Sequence, residues 1–164
     1  MPTSLPVPID FRLPEGWLPA RLEGRDPGVA SAAVHPEPDA GFAADITVEG
    51  GFPPEARTPA ELASKSAERL GEATAPVTVA ERREFGSADA PALTQRLVFP
   101  AVTGDVHRDL VQSQVHLGLV DTGEPRKRAV IRLALTATAA QHDAVLGDFQ
   151  EFLRSVRADT GKAA

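Results

Sequence analysis

Ala129-Val130-Ile131-Arg132-Leu133-Ala134-Leu135-Thr136-Ala137-Thr138 runs without a break into Ala139-Ala140-Gln141-His142-Asp143-Ala144-Val145-Leu146-Gly147-Asp148-Phe149-Gln150-Glu151-Phe152-Leu153-Arg154-Ser155-Val156-Arg157. The hydrophobic period changes partway along. Up to Thr138, the apolar residues Ile131, Leu133 and Leu135 recur at every second position, the period of a strand. After it, Val145, Leu146, Phe149, Phe152, Leu153 and Val156 recur at helical spacing and form one apolar stripe, with His142 in line in the first turn. Asp143, Gln150, Glu151 and Arg154 fall on the other side. A helix with such a stripe needs a surface to cover, and the preceding strands supply it.

Working backward from there, Asp121-Thr122-Gly123-Glu124-Pro125 is a turn cluster. It joins strand 129–138 to a long partner, 110–120, marked by Val111, Val115, Leu117 and Leu119. Leu93, Leu97 and Phe99 mark another strand, closed by Pro100, and Val77, Val79 and Phe85 mark one more. Short turns between neighbours make the pairing antiparallel by default. Earlier, Thr58-Pro59-Ala60-Glu61 has the pattern of a helix start: a hydroxyl cap, a proline in the first turn, and an acid three residues after the cap. Leu62, Ala63, Ser66 and Leu70 continue it to Gly71. This helix is short and modestly apolar, and is expected to cover a sheet edge or end. Three strands precede it, around Ile9–Leu13, Val29–His35 and Phe42–Val48. The stretch 18–28 reads as loop.

The order β-β-β-α-β-β-β-β-α has no βαβ alternation. It predicts an α+β fold, an antiparallel sheet of about six or seven strands packed with two main helices as a helix–sheet–helix sandwich. At 164 residues one domain is expected, spanning 1–158, with 159–164 as a frayed tail.

Composition narrows the function. There is no cysteine, which excludes disulfides, thiolate nucleophiles and Cys-ligated metals. Seventeen basic residues face 23 acidic ones, for a net charge of -6, so the basic surplus of a general nucleic-acid binder is missing. No apolar window is long enough to span a bilayer. With no signal peptide or lipobox in view, a cytoplasmic location is expected. Richness in Arg, Ala and Pro fits GC-rich coding.

Three features resemble the PsbP-like superfamily. Phe11-Arg12-Leu13-Pro14-Glu15-Gly16-Trp17 is similar to that family's "F-x-L-P-x-G-W" opening. Gly86 through Ala92 is a turn of small residues feeding Leu93–Phe99. The long strand with Gln112 and Gln114, then Val130–Thr138, then a helix with Phe149, Phe152 and Ser155-Val156, resembles the family's ending. The superfamily includes DcrB-type, actinobacterial LpqN-type and photosystem PsbP proteins and a Ran-binding nuclear import factor. The resemblance implies a sheet sandwiched by helices and a binding or accessory role, with a chaperone or adaptor of a secretion or envelope system as its sharpest version. It transfers no functional residue.

For chemistry, the sequence offers little. His35, His107, His116 and His142 lack metal-site spacing, and no P-loop, G-x-S-x-G or G-x-G-x-x-G occurs. Ser113, His116 and Asp109 make a triad on paper, but Ser113 and His116 differ in parity and point to opposite faces of one strand. No metal, cofactor or catalytic residue is therefore expected. The informative group is the polar set on three strands: Thr94, Arg96, Gln112, Gln114, His116, Arg132 and Thr136. Alternation places all seven on one face, opposite the apolar residues, as a candidate surface for another protein. A homodimer is one form open to such a partner. A small-ligand site or enzyme with a pocket between sheet and helix is the alternative, and a closed pocket joining His116, Arg96 and a carboxylate would be its mark.

Overall fold

The computed structural model describes residues 9–20, 29–38, 42–51, 59–73, 77–86, 91–103, 106–120 and 128–158. In chain order these form β1 (Ile9–Asp10), β2 (Leu18–Pro19), β3 (Val29–Val34), β4 (Asp45–Gly51), α1 (Pro59–Ala73), β5 (Thr78–Gly86), β6 (Pro91–Thr103), β7 (Val106–Val120), β8 (Arg128–Thr138), α2 (Ala139–Ser155) and β9 (Arg157–Ala158). Strands β2-β3-β4-β8-β7-β6-β5, in that order, make one seven-stranded sheet, and every pairing is antiparallel. β1 and β9 pair separately, Ile9 with Ala158. The α+β sandwich expected from the element order is what forms.

The register decides which face each side chain takes. Leu133 lies opposite Val115, and Val115 opposite Thr94. Leu135 lies opposite Ser113, and Ser113 opposite Arg96. Directly opposed residues share a face. So Thr94, Arg96, Ser113, Val115, Leu133 and Leu135 all point one way. α2 covers that face, laying Val145, Phe149 and Phe152 on Ile131, Leu133, Leu135 and Ala137. Phe149 and Phe152 stack with centroids 6.2 Å apart, and Phe11 meets Phe152 edge-on at 5.3 Å. Full burial of each ring is worth about 1.5–3 kcal/mol. Thr138 caps the helix, its hydroxyl accepting from the Gln141 N–H at 3.1 Å.

The other face carries Leu93, Gln95, Leu97 and Phe99 of β6 with Leu110, Gln112, Gln114 and His116 of β7. α1 lies on this side: the Gln95 side chain donates to the Ala63 carbonyl at 3.0 Å. A smaller apolar cluster of Leu97, Phe99 and Leu110 sits here with Phe42, Ala67 and Val77. The short helix thus covers the sheet's second face, over β6 and β7, and not merely an edge or end. The reason is its small residues: Ala63 and Ser66 are buried and let the helix approach closely.

Several boundaries differ from expectation. β6 runs past Pro100 to Thr103. Among the described residues β5 pairs with β6 only as far as Val98, so Pro100 lies beyond that pairing, opposite Asp109 of β7. Leu18–Pro19 is a short edge strand where the sequence reads as loop. α2 ends at Ser155, and Arg157 belongs to β9. The expected Thr58 cap, the turn 121–125 and the tail 159–164 lie outside the described residues.

Candidate functional site

The seven polar candidates do not share one surface. Thr94 and Arg96 project toward α2, whereas Gln112, Gln114, His116, Arg132 and Thr136 project toward α1. The grouping fails because this sheet is buried on both faces. Leu93, Leu97 and Phe99 belong to the α1 side, so apolar residues do not mark a common side.

The α1-side group is not open to solvent. Gln114 and His116 are 1% and 2% exposed. They belong to a chain of amides that crosses the sheet. Arg82 donates from Nε and Nη2 to Gln95 Oε1, at 3.1 and 2.8 Å. Gln95 Nε2 donates to Gln114 Oε1 at 2.6 Å as well as to the Ala63 carbonyl. Gln114 Nε2 donates to Ser66 Oγ at 3.1 Å and to Gln112 Oε1. Gln112 Nε2 donates to Thr136 Oγ1 at 2.9 Å. His116 Nε2 donates to Gln114 Oε1 at 3.0 Å. Arg132 contacts both Ser66 and Glu49. An amide offers two donors and two acceptor positions. Gln95 and Gln114 use all four, so neither has capacity left for a ligand. Such a network fastens α1 and fixes its register. Burial, with the nearby Arg82 charge adding to it, lowers the His116 pKa to about 4. The ring is neutral at neutral pH.

The opposite face is different. α2 covers β8 and β7 but leaves β6 partly open, and a cleft of about 190 Å³ remains there. Thr94, Gln95, Arg96, Ser113, Gln114 and Gln150 give it polar lining, Glu81 stands at the β5 side, and Val115, Leu146, Phe149 and Leu153 form its apolar wall. Arg96 is the distinctive residue. Its Nε is shielded from solvent and has no hydrogen-bond partner among the described residues. A buried donor left unmade costs about 1–3 kcal/mol, more when charged. Glu81 lies directly opposite on the neighbouring strand without forming an ion pair with it.

Next to the cleft, Ser113 Oγ lies 2.8 Å from His142 Nε2, and His142 Nδ1 lies 3.5 Å from Asp143 Oδ1. Sequence reasoning set Ser113 against His116, and missed His142 because it comes from α2. The line contains the residue types of a triad, but Asp143 is 92% exposed and too far to fix the imidazole. Burial first, and the Arg96 charge further, lower the His142 pKa; Asp143 opposes them. His142 thus reads as a buried neutral ring satisfied by Ser113. Trp17 is buried in the main core. Its indole donates to Asp148 at 3.0 Å and meets His35 edge-on at 5.2 Å. Among the described residues, no cluster of His, Asp and Glu could hold a metal, and no helix is long and apolar enough to cross a membrane.

No protein-family model and no curated protein matches the sequence. Solved structures do match in shape. LpqN of Mycobacterium tuberculosis, described as involved in cell envelope biogenesis, aligns with a TM-score of 0.65 at 13% identity, over 92% of this chain and 84% of its own. The cyanobacterial PsbP protein of Synechocystis aligns at 0.62 and 16% identity, over 92% and 86%. The Ran-binding protein Mog1p of Saccharomyces cerevisiae aligns at 0.60 and 17% identity, over 93% and 92%. At such identities the similarity speaks for the fold alone. The order of strands, the two covering helices and these neighbours agree: this chain has the PsbP-like fold.

Proposed function

We propose that this chain is a non-catalytic binding protein whose partner is another protein, held at the cleft between β6 and α2. The observation that carries the proposal is Arg96, whose guanidinium lines the cleft with its Nε unpartnered among the described residues. Interfaces favour arginine for its planar, multidentate donors. Phe85, 49% exposed, extends an apolar contact along the same face of β5. The alternative, a closed pocket joining His116, Arg96 and a carboxylate, is disfavoured because His116 and Arg96 lie on opposite faces. The neighbours lend support, since Mog1p is a Ran-binding protein built on the same scaffold. Accessory service to an envelope or secretion system, in the cytoplasm, is the finer version of this proposal. The fully bonded network beneath α1 serves stability in this reading.

Site-specific photo-crosslinking tests it. A photoreactive residue at Gln150, on the cleft rim, should capture a discrete partner in the native host. Capture should be lost in an Arg96→Glu background that retains the wild-type circular dichroism and melting curve. The same probe at Glu68, exposed on α1, should capture nothing comparable. Equal capture from both positions, or capture indifferent to Arg96, overturns the proposal.

A further inference from the structure

We infer that the partner segment held in the cleft presents a carboxylate side chain flanked by bulky apolar residues, with Arg96 as the anchor of that carboxylate. The inference rests on the cleft being the binding surface and adds what the cleft selects.

The chemistry follows from what lines it. Arg96 supplies a positive charge whose Nε has no hydrogen-bond partner among the described residues. Ser113 and Thr94 place hydroxyls around it, directly opposite Arg96 and two residues before it on the same strand face. A guanidinium suits a carboxylate, which accepts two parallel N–H bonds in fork geometry, and the Thr94 hydroxyl beside it is a further donor, while the Ser113 hydroxyl is held by His142. Beside this polar floor stands the wall of Leu146, Phe149 and Leu153 from α2, with Val115 below. A carboxylate arriving alone would leave that wall wet. One flanked by leucine-sized side chains covers it.

Two features choose a protein segment over a free small acid. The cleft, about 190 Å³, is only partly enclosed. Beside it on β5, Arg83 and the exposed Phe85 lie on the same face as Glu81 and lengthen the surface next to the cleft. An extended chain can use that length. Glu81 is the one acidic group in the lining, and it opposes the carboxylate. Its removal should therefore strengthen binding. The chain's net charge of -6 opposes acidic partners at long range, so attraction has to be local to Arg96.

The test uses the whole chain and three probes: a nine-residue peptide centred on Leu-Glu-Leu, its Leu-Gln-Leu counterpart, and 4-methylpentanoate. Nitrogen–proton correlation spectra follow the Arg96 Nε–Hε signal, identified by its loss in Arg96→Gln, and the backbone amides of Thr94 and Ser113. The Glu peptide should move all three signals. It should bind roughly ten- to a hundredfold more tightly than the Gln peptide, the worth of a charge-assisted hydrogen bond. Arg96→Gln should erase that ratio, and Glu81→Gln should raise it. Equal affinity of the two peptides, with the cleft signals still moving, overturns the carboxylate anchor and leaves the binding cleft standing. No movement with either peptide removes both. Binding of 4-methylpentanoate as tight as that of the Glu peptide overturns the choice of a protein segment.

Discussion

Replacing Gln114 by leucine should destabilise the fold, although leucine is close in size and more apolar. Gln114 is 1% exposed and makes four hydrogen bonds, two accepted and two donated. Leucine makes none. Gln95 Nε2 keeps the Ala63 carbonyl, and Ser66 Oγ keeps Arg132. His116 Nε2 and Gln112 Oε1 lose the partner shown for them. Each stranded group costs about 1–3 kcal/mol, so about 4 kcal/mol together. Burial of the leucine returns about 2 kcal/mol, leaving a net loss of about 2 kcal/mol. Urea denaturation at pH 7.5, followed by Trp17 fluorescence, measures it. The melting midpoint should fall by about 4–8 °C for a chain of this size. A double-mutant cycle sharpens the result. Gln95→Leu with Gln114→Leu removes both ends of one hydrogen bond, so the double loss should fall short of the sum by about 1 kcal/mol. A net loss below about 0.5 kcal/mol, or strict additivity, would show that the amide chain does not hold the two layers together.

Stability should also depend on pH through the buried histidines. The His116 pKa lies at about 4 in the fold against 6.5 unfolded, so its contribution is complete above 6.5 and is lost as pH falls toward 4. The shift corresponds to about 3 kcal/mol, and His142 moves the same way. Urea midpoints measured across this window should show the decline, and His116→Gln, which keeps a donor but does not titrate, should flatten it. Thr138→Ala removes the α2 cap and should cost about 1 kcal/mol in the same assay. Trp17→Phe deletes the indole bond to Asp148 and part of a buried ring, and should cost at least about 1 kcal/mol, read by far-ultraviolet circular dichroism because the fluorophore is gone; an unchanged midpoint would contradict its place in the core.

The architecture was legible where one period dominates. Val145, Phe149 and Phe152 announce α2, and all three are buried against the sheet. The alternation in 129–138 announces β8, down to the boundary at Thr138. Faces were harder. Where a sheet is covered on both sides, alternation says that neighbours point apart but not which side is which. Register settles it: Arg96 opposite Ser113 assigns both to the α2 side, and Gln95 opposite Gln114 assigns both to α1. Gln95 was not among the candidates, although it is among the best-connected side chains. Its partner on α1, the Ala63 carbonyl, comes from a helix whose modest hydrophobicity hides how it docks. It holds on through hydrogen bonds, which leave no periodic trace. The cleft was half visible, through Thr94 and Arg96. Much of the rest of its lining comes from β7, α2 and β5, distant in sequence.

If the α2 face of the sheet binds and the α1 face stabilises, one comparison separates the two. Isothermal titration of the Leu-Glu-Leu peptide into the wild-type chain, Arg96→Gln and His116→Gln, at pH 7.5, reads both faces at once. Affinity should fall at least tenfold in Arg96→Gln and stay within about twofold of wild type in His116→Gln. If His116→Gln abolishes binding while Arg96→Gln leaves it intact, the functional face is the one beneath α1, and the assignment is wrong.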